Sequence, residues 1–302
     1  MDRIRPHARE TPVVEVAAGE LGFDHPVTLK LELLQHAGSF KTRGAFNRVL
    51  AATAAGEVGP AGLIAASGGN HGAAVAYVAQ QLESTAEIFM PSTSPAIKRD
   101  RIESFGARVH VIEGYFDDAQ AASARRQAET GALAVHPFEH PAIIAGQGTM
   151  SVEIDDQVGA YDTLIVGVGG GGFIAGQAAW IRDARRVVSV EPATSRCLHA
   201  AREAGAPVPV GVAGVAADSL GANQLGALAW TIVDPFVDAA VLVTDDAIRA
   251  AQRSMWDRFR LVVEPGGAAA LAALQCGAYV PEPGEHIVVA VCGSNCDPNS
   301  VM

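Results

Sequence analysis

Short β-branched runs alternate along this chain with longer alanine-rich segments, and that alternation leaves few folds open to it. Runs at 27–31, 63–66, 86–90, 108–112, 163–168, 187–190, 240–243 and 287–291 read as strands. Segments at 43–55, 72–81 and 97–105 read as helices, and further helical segments separate the later strands. Strands joined through helices pair in parallel, because parallel neighbours need a long crossover. The runs 164–168 and 287–291 are apolar throughout, as strands covered on both faces are. The expected class is therefore α/β with mostly parallel sheets. A length of 302 residues suits one large or two modest domains. No linker marks a boundary; His136-Pro137-Phe138-Glu139-His140-Pro141 is the best crossing point, since its two prolines interrupt regular structure.

The formal net charge is -11 and no run of Lys and Arg offsets it, so neither nucleic acid nor an anionic membrane is an expected partner. Two stretches, 61–82 and 163–181, lack Asp, Glu, Lys and Arg over nearly the length of a membrane span. Each contains a glycine cluster that disfavours a spanning helix, so both read as buried loops. The N-terminus lacks the apolar core of a signal peptide. Four cysteines are too few and scattered for a disulfide framework, and reduced thiols fit a cytoplasmic protein. Cys292 and Cys296 have no second Cys or His pair at zinc-like spacing, so no metal is expected.

Four segments can carry chemistry. Gly38-Ser39-Phe40-Lys41-Thr42-Arg43-Gly44-Ala45 places a lysine at a helix start, after a glycine turn and beside an aromatic. If buried there, its ammonium form is opposed by desolvation and by the helix dipole, which frees an amine for a Schiff base. An ordinary helix cap would fit the same residues. Ala65-Ala66-Ser67-Gly68-Gly69-Asn70-His71-Gly72 joins a strand to a helix, and open amides there suit a carboxylate or phosphate. A plain strand-to-helix turn with a structural histidine is the alternative. Val166-Gly167-Val168-Gly169-Gly170-Gly171-Gly172-Phe173 reads as a phosphate cradle, since no Cβ blocks an anion from the amides. It also satisfies the dinucleotide fingerprint through Gly167, Gly169 and Gly172, with Glu191 ending the next strand, so a nicotinamide oxidoreductase is a rival on spacing alone. Near the C-terminus, Glu264 opens an alanine-rich helix at a tight turn and Cys292 ends a strand, where α/β proteins place ligands.

Together and in order, these segments resemble the serine/threonine dehydratase and serine racemase family of pyridoxal-phosphate enzymes. The resemblance runs from about residue 11 to 297 and includes LKLELLQHAGSFKTRGA, HPFEHPAIIAGQGTMSVEI and RLVVEPGGAAALAAL. It implies two open twisted α/β domains: a smaller one over 45–138, a larger one over 1–44 plus 139–302, and pyridoxal 5'-phosphate in the cleft between them. Lys41 would carry the cofactor as a Schiff base and act as general base, with Phe40 against the ring. Asn70 would bind the ring hydroxyl, and Gly169, Gly170, Gly171 and Gly172 with Phe173 would bind the phosphate. Cys292 would stand beside the pyridine nitrogen, which a thiol cannot keep protonated as a carboxylate could, and Glu264 would border the same region. Ser67, Gly68, Gly69, Asn70 and His71 would hold the substrate carboxylate. A nicotinamide enzyme has no use for the Lys41 motif or the Ser67–His71 loop.

Three departures from the family bear on activity. The racemases carry a second serine after the one matching Ser67, as acid/base on the opposite cofactor face; here it is Gly68. Metal-dependent members pair the Glu matching Glu191 with an Asp six residues on; here that residue is Cys197. Ala73 stands where the family commonly has Gln. The expected activity is dehydration and deamination of a small β-hydroxy amino acid such as threonine or serine to a 2-oxo acid and ammonia, with racemisation or β-replacement as alternatives. A homodimer follows from the family. Because the chain ends about ten residues after Cys292, no C-terminal regulatory domain is expected. Asp218 lies where relatives line the substrate side of the cleft. An unpaired carboxylate there would accept a hydrogen bond from a β-hydroxyl and repel a β-carboxylate; alternatively it caps a turn and faces solvent.

Overall fold

The structure, a computed structural model, describes residues 1–301. In chain order its first elements are β1 (Val13–Val16), β2 (Val27–Lys30), α1 (Lys41–Ala54), β3 (Leu63–Ala66), α2 (Asn70–Gln81) and β4 (Ala86–Pro91). Then come α3 (Ala96–Glu103), β5 (Arg108–Ile112), α4 (Phe116–Thr130), β6 (Leu133–Ala134), α5 (Pro141–Val158), β7 (Thr163–Gly167) and α6 (Gly172–Ile181). The last are β8 (Arg186–Pro192), α7 (Cys197–Ala204), α8 (Ala217–Leu220), α9 (Ala227–Phe236), β9 (Ala239–Val243), α10 (Asp245–Phe259), α11 (Pro265–Gln275) and β10 (Ile287–Ala290). No helix among the described residues is long and apolar enough to cross a membrane.

Two sheets result, a six-stranded one in the order β1-β2-β10-β7-β8-β9 and a four-stranded one in the order β5-β4-β3-β6. All pairs are parallel except β1 with β2. β1 and β6 are not evident in the sequence, because strands of four and two residues are too short to show a period. In the larger sheet successive residues feed opposite cores. Ile165, Ile287 and Val289 pack with α10 and α11, whereas Leu164, Val166, Val288 and Ala290 pack with α6. Both faces are covered, which is why residues 164–167 and 287–290 are apolar at every position. The smaller sheet divides likewise, with Leu63 and Ala65 facing α1 and α2 and Ile64 and Phe89 facing α4.

Parallel pairing brings strand ends to one level. In the six-stranded sheet the C-terminal ends of β7 and β10 release the segments 168–171 and 291–294, and in the four-stranded sheet β3 releases 67–69, the loops singled out from the sequence. Pro137 and Pro141 bracket the crossing into α5, with Pro141 in the first helical turn, where its missing N–H costs nothing.

The start of α1 is held by charge. Arg43 is completely buried and forks onto two carboxylates: Nε and Nη2 donate to Glu32 at 2.8 and 2.7 Å, and Nη1 and Nη2 donate to Glu153 at 2.6 Å each. Lys30 Nζ adds a bond of 2.9 Å to Glu153 and one of 2.7 Å to the Thr11 carbonyl. Two cations and two anions cancel, so the cluster is neutral and ties α1 to the end of β2, to the turn just after it and to α5. Arg43→Ala should lower the unfolding free energy by about 3–5 kcal/mol, because two buried carboxylates lose their fork. Denaturant unfolding of the apoprotein measures this. A loss below about 1 kcal/mol, the scale of a surface pair, would contradict the burial of the cluster.

Candidate active site

Lys41 is the first residue of α1, and its Nζ donates to the Pro137 carbonyl at 2.8 Å. The chain contains only three lysines. Lys30 is paired with Glu153 and Lys98 with Asp218, so Lys41 alone has no carboxylate partner. Desolvation lowers its pKa to about 8, against smaller opposing effects of Cys292 and Glu264. A substantial fraction is then free amine near neutral pH, as a nucleophile or base requires.

The sequence motifs meet around this amine. The Phe40 amide donates to the Cys292 carbonyl at 3.2 Å, and the Phe40 ring stacks on Phe173 with centroids 3.9 Å apart. That stack fixes one face of Phe40 and joins α1 to α6. Asn70 Nδ2 donates to Glu264 Oε1 at 2.5 Å, and Asn70 Oδ1 accepts from Asn295 Nδ2 at 2.6 Å. One amide N–H of Asn70 remains for a further acceptor. Glu264 is 1% exposed, its Oε2 has no partner, and burial raises its pKa. Burial also pushes the Cys292 thiol well above its ordinary range, so it keeps its proton; its Sγ lies 3.4 Å from the Gly266 carbonyl.

Two loops offer backbone donors. Among the described residues, the amides of Gly169, Gly170 and Gly171 donate to no protein group, and they precede α6, whose positive dipole end adds to them. A Cβ at Gly170 would collide with the Phe138 ring, and Gly171 has φ +88°, so side chains are excluded from this turn. At Ser67–His71 the Ser67 hydroxyl accepts from the Gly69 amide at 3.2 Å, and Asn70 and His71 open α2 with first-turn amides free. The His71 ring is engaged away from this loop. Its Nε2 bonds the Val135 carbonyl at 2.7 Å, and burial with the Lys41 charge lowers its pKa to about 3. His71 therefore takes the structural role as a side chain and contributes only its amide.

Asp218 neither faces solvent alone nor stands as an unpaired anion. Its Oδ2 accepts from Lys98 Nζ at 2.7 Å, which removes the premise that its charge alone repels an acidic substrate. Glu191 accepts from the amides of Leu198 and His199, at 2.8 Å each, and caps α7 with both oxygens. Burial raises it to about 7, the amide hydrogen bonds acting against that rise.

Sequence reasoning assigned no site role to Lys98, Asn295, Pro137, Phe138 or Ser94, all of which lie against these loops. The small number of lysines would have isolated Lys41 and Lys98. The Pro137 carbonyl, being backbone, leaves no trace in residue type.

The sequence is 35% identical over 95% of its length to the biosynthetic L-threonine dehydratase of Pasteurella multocida, and spans 56% of that relative. Its fold superposes on maize serine racemase with a TM-score of 0.90, at 32% identity, covering 99% of this chain and 92% of that one. It superposes on the T.th. threonine deaminase with a TM-score of 0.88, at 33% identity, covering 98% and 96%. The family model for pyridoxal-phosphate dependent enzymes matches residues 4–293, nearly the whole chain. With the only carboxylate-free lysine at the meeting point of the glycine loops, the chain belongs to the pyridoxal-phosphate dependent enzyme family.

Proposed function

We propose that the protein removes water from a small β-hydroxy amino acid such as threonine or serine, yielding a 2-oxo acid and ammonia. The observation that carries this reading is Lys41, a lysine with a pKa of about 8, no carboxylate partner and a place between two sets of open amides. The threonine dehydratase and threonine deaminase relatives support it. We also propose that the four-stranded sheet belongs to a smaller domain over 45–138, that 1–44 with 139–302 form the larger, and that the enzyme is a cytoplasmic homodimer.

The residues present fit pyridoxal phosphate. The amides of Gly169, Gly170 and Gly171, with the first turn of α6, would hold its phosphate. The free N–H of Asn70 would meet its ring hydroxyl, and the partnerless Oε2 of Glu264 lies in the same wall. When bound, the cofactor withdraws electrons from the α-carbon of an amino acid and acidifies the α-proton. Lys41 would hold the cofactor at rest, and its amine would take that proton as general base. The Ser67–His71 amides orient the substrate carboxylate, which aims the α-proton at Lys41. Cys292 keeps its own proton and would border the cofactor ring as a neutral thiol, adding no charge to it.

A second reading, racemisation, has one observation in its favour. Gly68 supplies no hydroxyl, yet Ser94 Oγ occupies the space that a Gly68 Cβ would need, so a hydroxyl does border this turn.

Lys41→Ala should abolish the visible band of the lysine-bound cofactor and cut elimination by at least about a thousandfold, because one group serves as tether and base. A variant that keeps the band would overturn the assignment. Apoprotein should capture pyridoxal phosphate faster as pH rises, about tenfold per unit below pH 8, with a plateau above, since only the unprotonated amine attacks. A stopped-flow pH series checks this, and a midpoint near 10.5 would show an unperturbed lysine. Incubation of the wild type with L-serine should give pyruvate and ammonia without D-serine. Appreciable D-serine that disappears in Ser94→Ala would instead support the racemase reading.

A further inference from the structure

Lys98 and Asp218 form an ion pair at the edge of the carboxylate-binding loop. Lys98 is carried by α3, which flanks the four-stranded sheet, and Asp218 by α8, beside the loops of the six-stranded sheet. The pair therefore bridges the two units. Its members are unequally buried: Lys98 retains 5% side-chain exposure and Asp218 41%. Lys98 has given up nearly all its water and depends on this one carboxylate, whereas Asp218 can exchange its partner for solvent.

The pair faces the substrate side. A Cβ built on Gly69 would lie 3.2 Å from the Asp218 carbonyl and 3.9 Å from Lys98 Nζ. A cavity of about 400 Å³ opens there, lined by Gly69, Ala73, Lys98 and Asn295 among others, so Lys98 adjoins open space. After burial itself, Lys98 is the strongest influence on buried Glu264, with Asp218 and Lys41 acting on it as well, which places the pair near the Glu264 and Asn70 contact. α8 is firmly seated: Ser219 Oγ accepts from the Gly266 amide at 3.1 Å, and the Leu220 carbonyl accepts from Ser195 Oγ at 3.1 Å.

We propose that Lys98 and Asp218 together form the specificity filter for the substrate's β-substituent, with Asp218 occupying on Lys98 the position that a substrate β-carboxylate would otherwise take. A neutral hydroxy amino acid leaves the pair intact. An acidic one meets in Lys98 a cation already neutralised and loses hydration without gaining that counter-charge. The discrimination thus arises from an occupied cation rather than from a bare carboxylate. This inference rests on the dehydratase reading for the nature of the leaving group, but not for the charge filter.

The test uses holoenzyme of the wild type, Asp218→Asn, Lys98→Met and the double variant. Binding of L-aspartate and L-alanine is measured by calorimetry, and kcat/KM is measured for 3-hydroxyaspartate and threonine. Asp218→Asn should shift the aspartate-to-alanine affinity ratio, and the matching kcat/KM ratio, by about tenfold or more toward the acidic ligand. The double variant should lose that gain, and Asp218→Glu should keep the wild-type preference. A shift under about twofold in Asp218→Asn, or a gain that persists without Lys98, overturns the filter. If the wild type eliminates no hydroxy amino acid, the dehydratase reading fails while the aspartate-to-alanine ratio still decides the filter.

Discussion

The position of Lys41 depends on Arg43, two residues further along the first turn of the same helix. A buried guanidinium is tolerated because Glu32 and Glu153 take both sides of its fork, and Lys30 balances the remaining charge. The cluster pins the helix to the end of β2 and to α5, leaving Lys41 at the helix start with little freedom. The same physics treats the three lysines differently. Lys30 and Lys98 meet carboxylates; Lys41 meets a backbone carbonyl, which accepts a hydrogen bond but offers no charge. At Lys41 desolvation outweighs the weaker pull of Cys292 and Glu264, and its pKa falls to about 8.

Around that amine, burial favours the neutral form of its neighbours. His71 and His136 are held to about 3 and 4, desolvation being the larger cause in each, while Glu264 and Cys292 are pushed upward. Proton transfer near neutral pH is thereby concentrated on Lys41. The loops after β7 and β10 lie side by side because these paired parallel strands end at one level, while the Ser67–His71 loop comes from the other sheet.

Much of this is legible in the sequence, for physical reasons. Long strands buried on both faces are apolar at every position, and glycine clusters at strand ends mark where amides must stay open. The Lys41, Ser67–His71 and glycine-loop segments are therefore visible, and the structure brings them together. The chemistry of pairing is not. Asp218 reads as a lone carboxylate because its partner lies 120 residues away in the sequence. His71 and Val135, and Lys41 and Pro137, are joined through carbonyl groups that every residue possesses. Short strands such as β1 escape notice because four residues carry no period.

The central claim, that Lys41 is the lysine joined to the cofactor, is open to a direct measurement because only three candidates exist. Holoenzyme reduced with borohydride, digested and mapped by mass spectrometry should carry the pyridoxyl adduct on the peptide containing Lys41, with none on peptides containing Lys30 or Lys98. An adduct on Lys98 or Lys30, with Lys41 unmodified, would contradict the account.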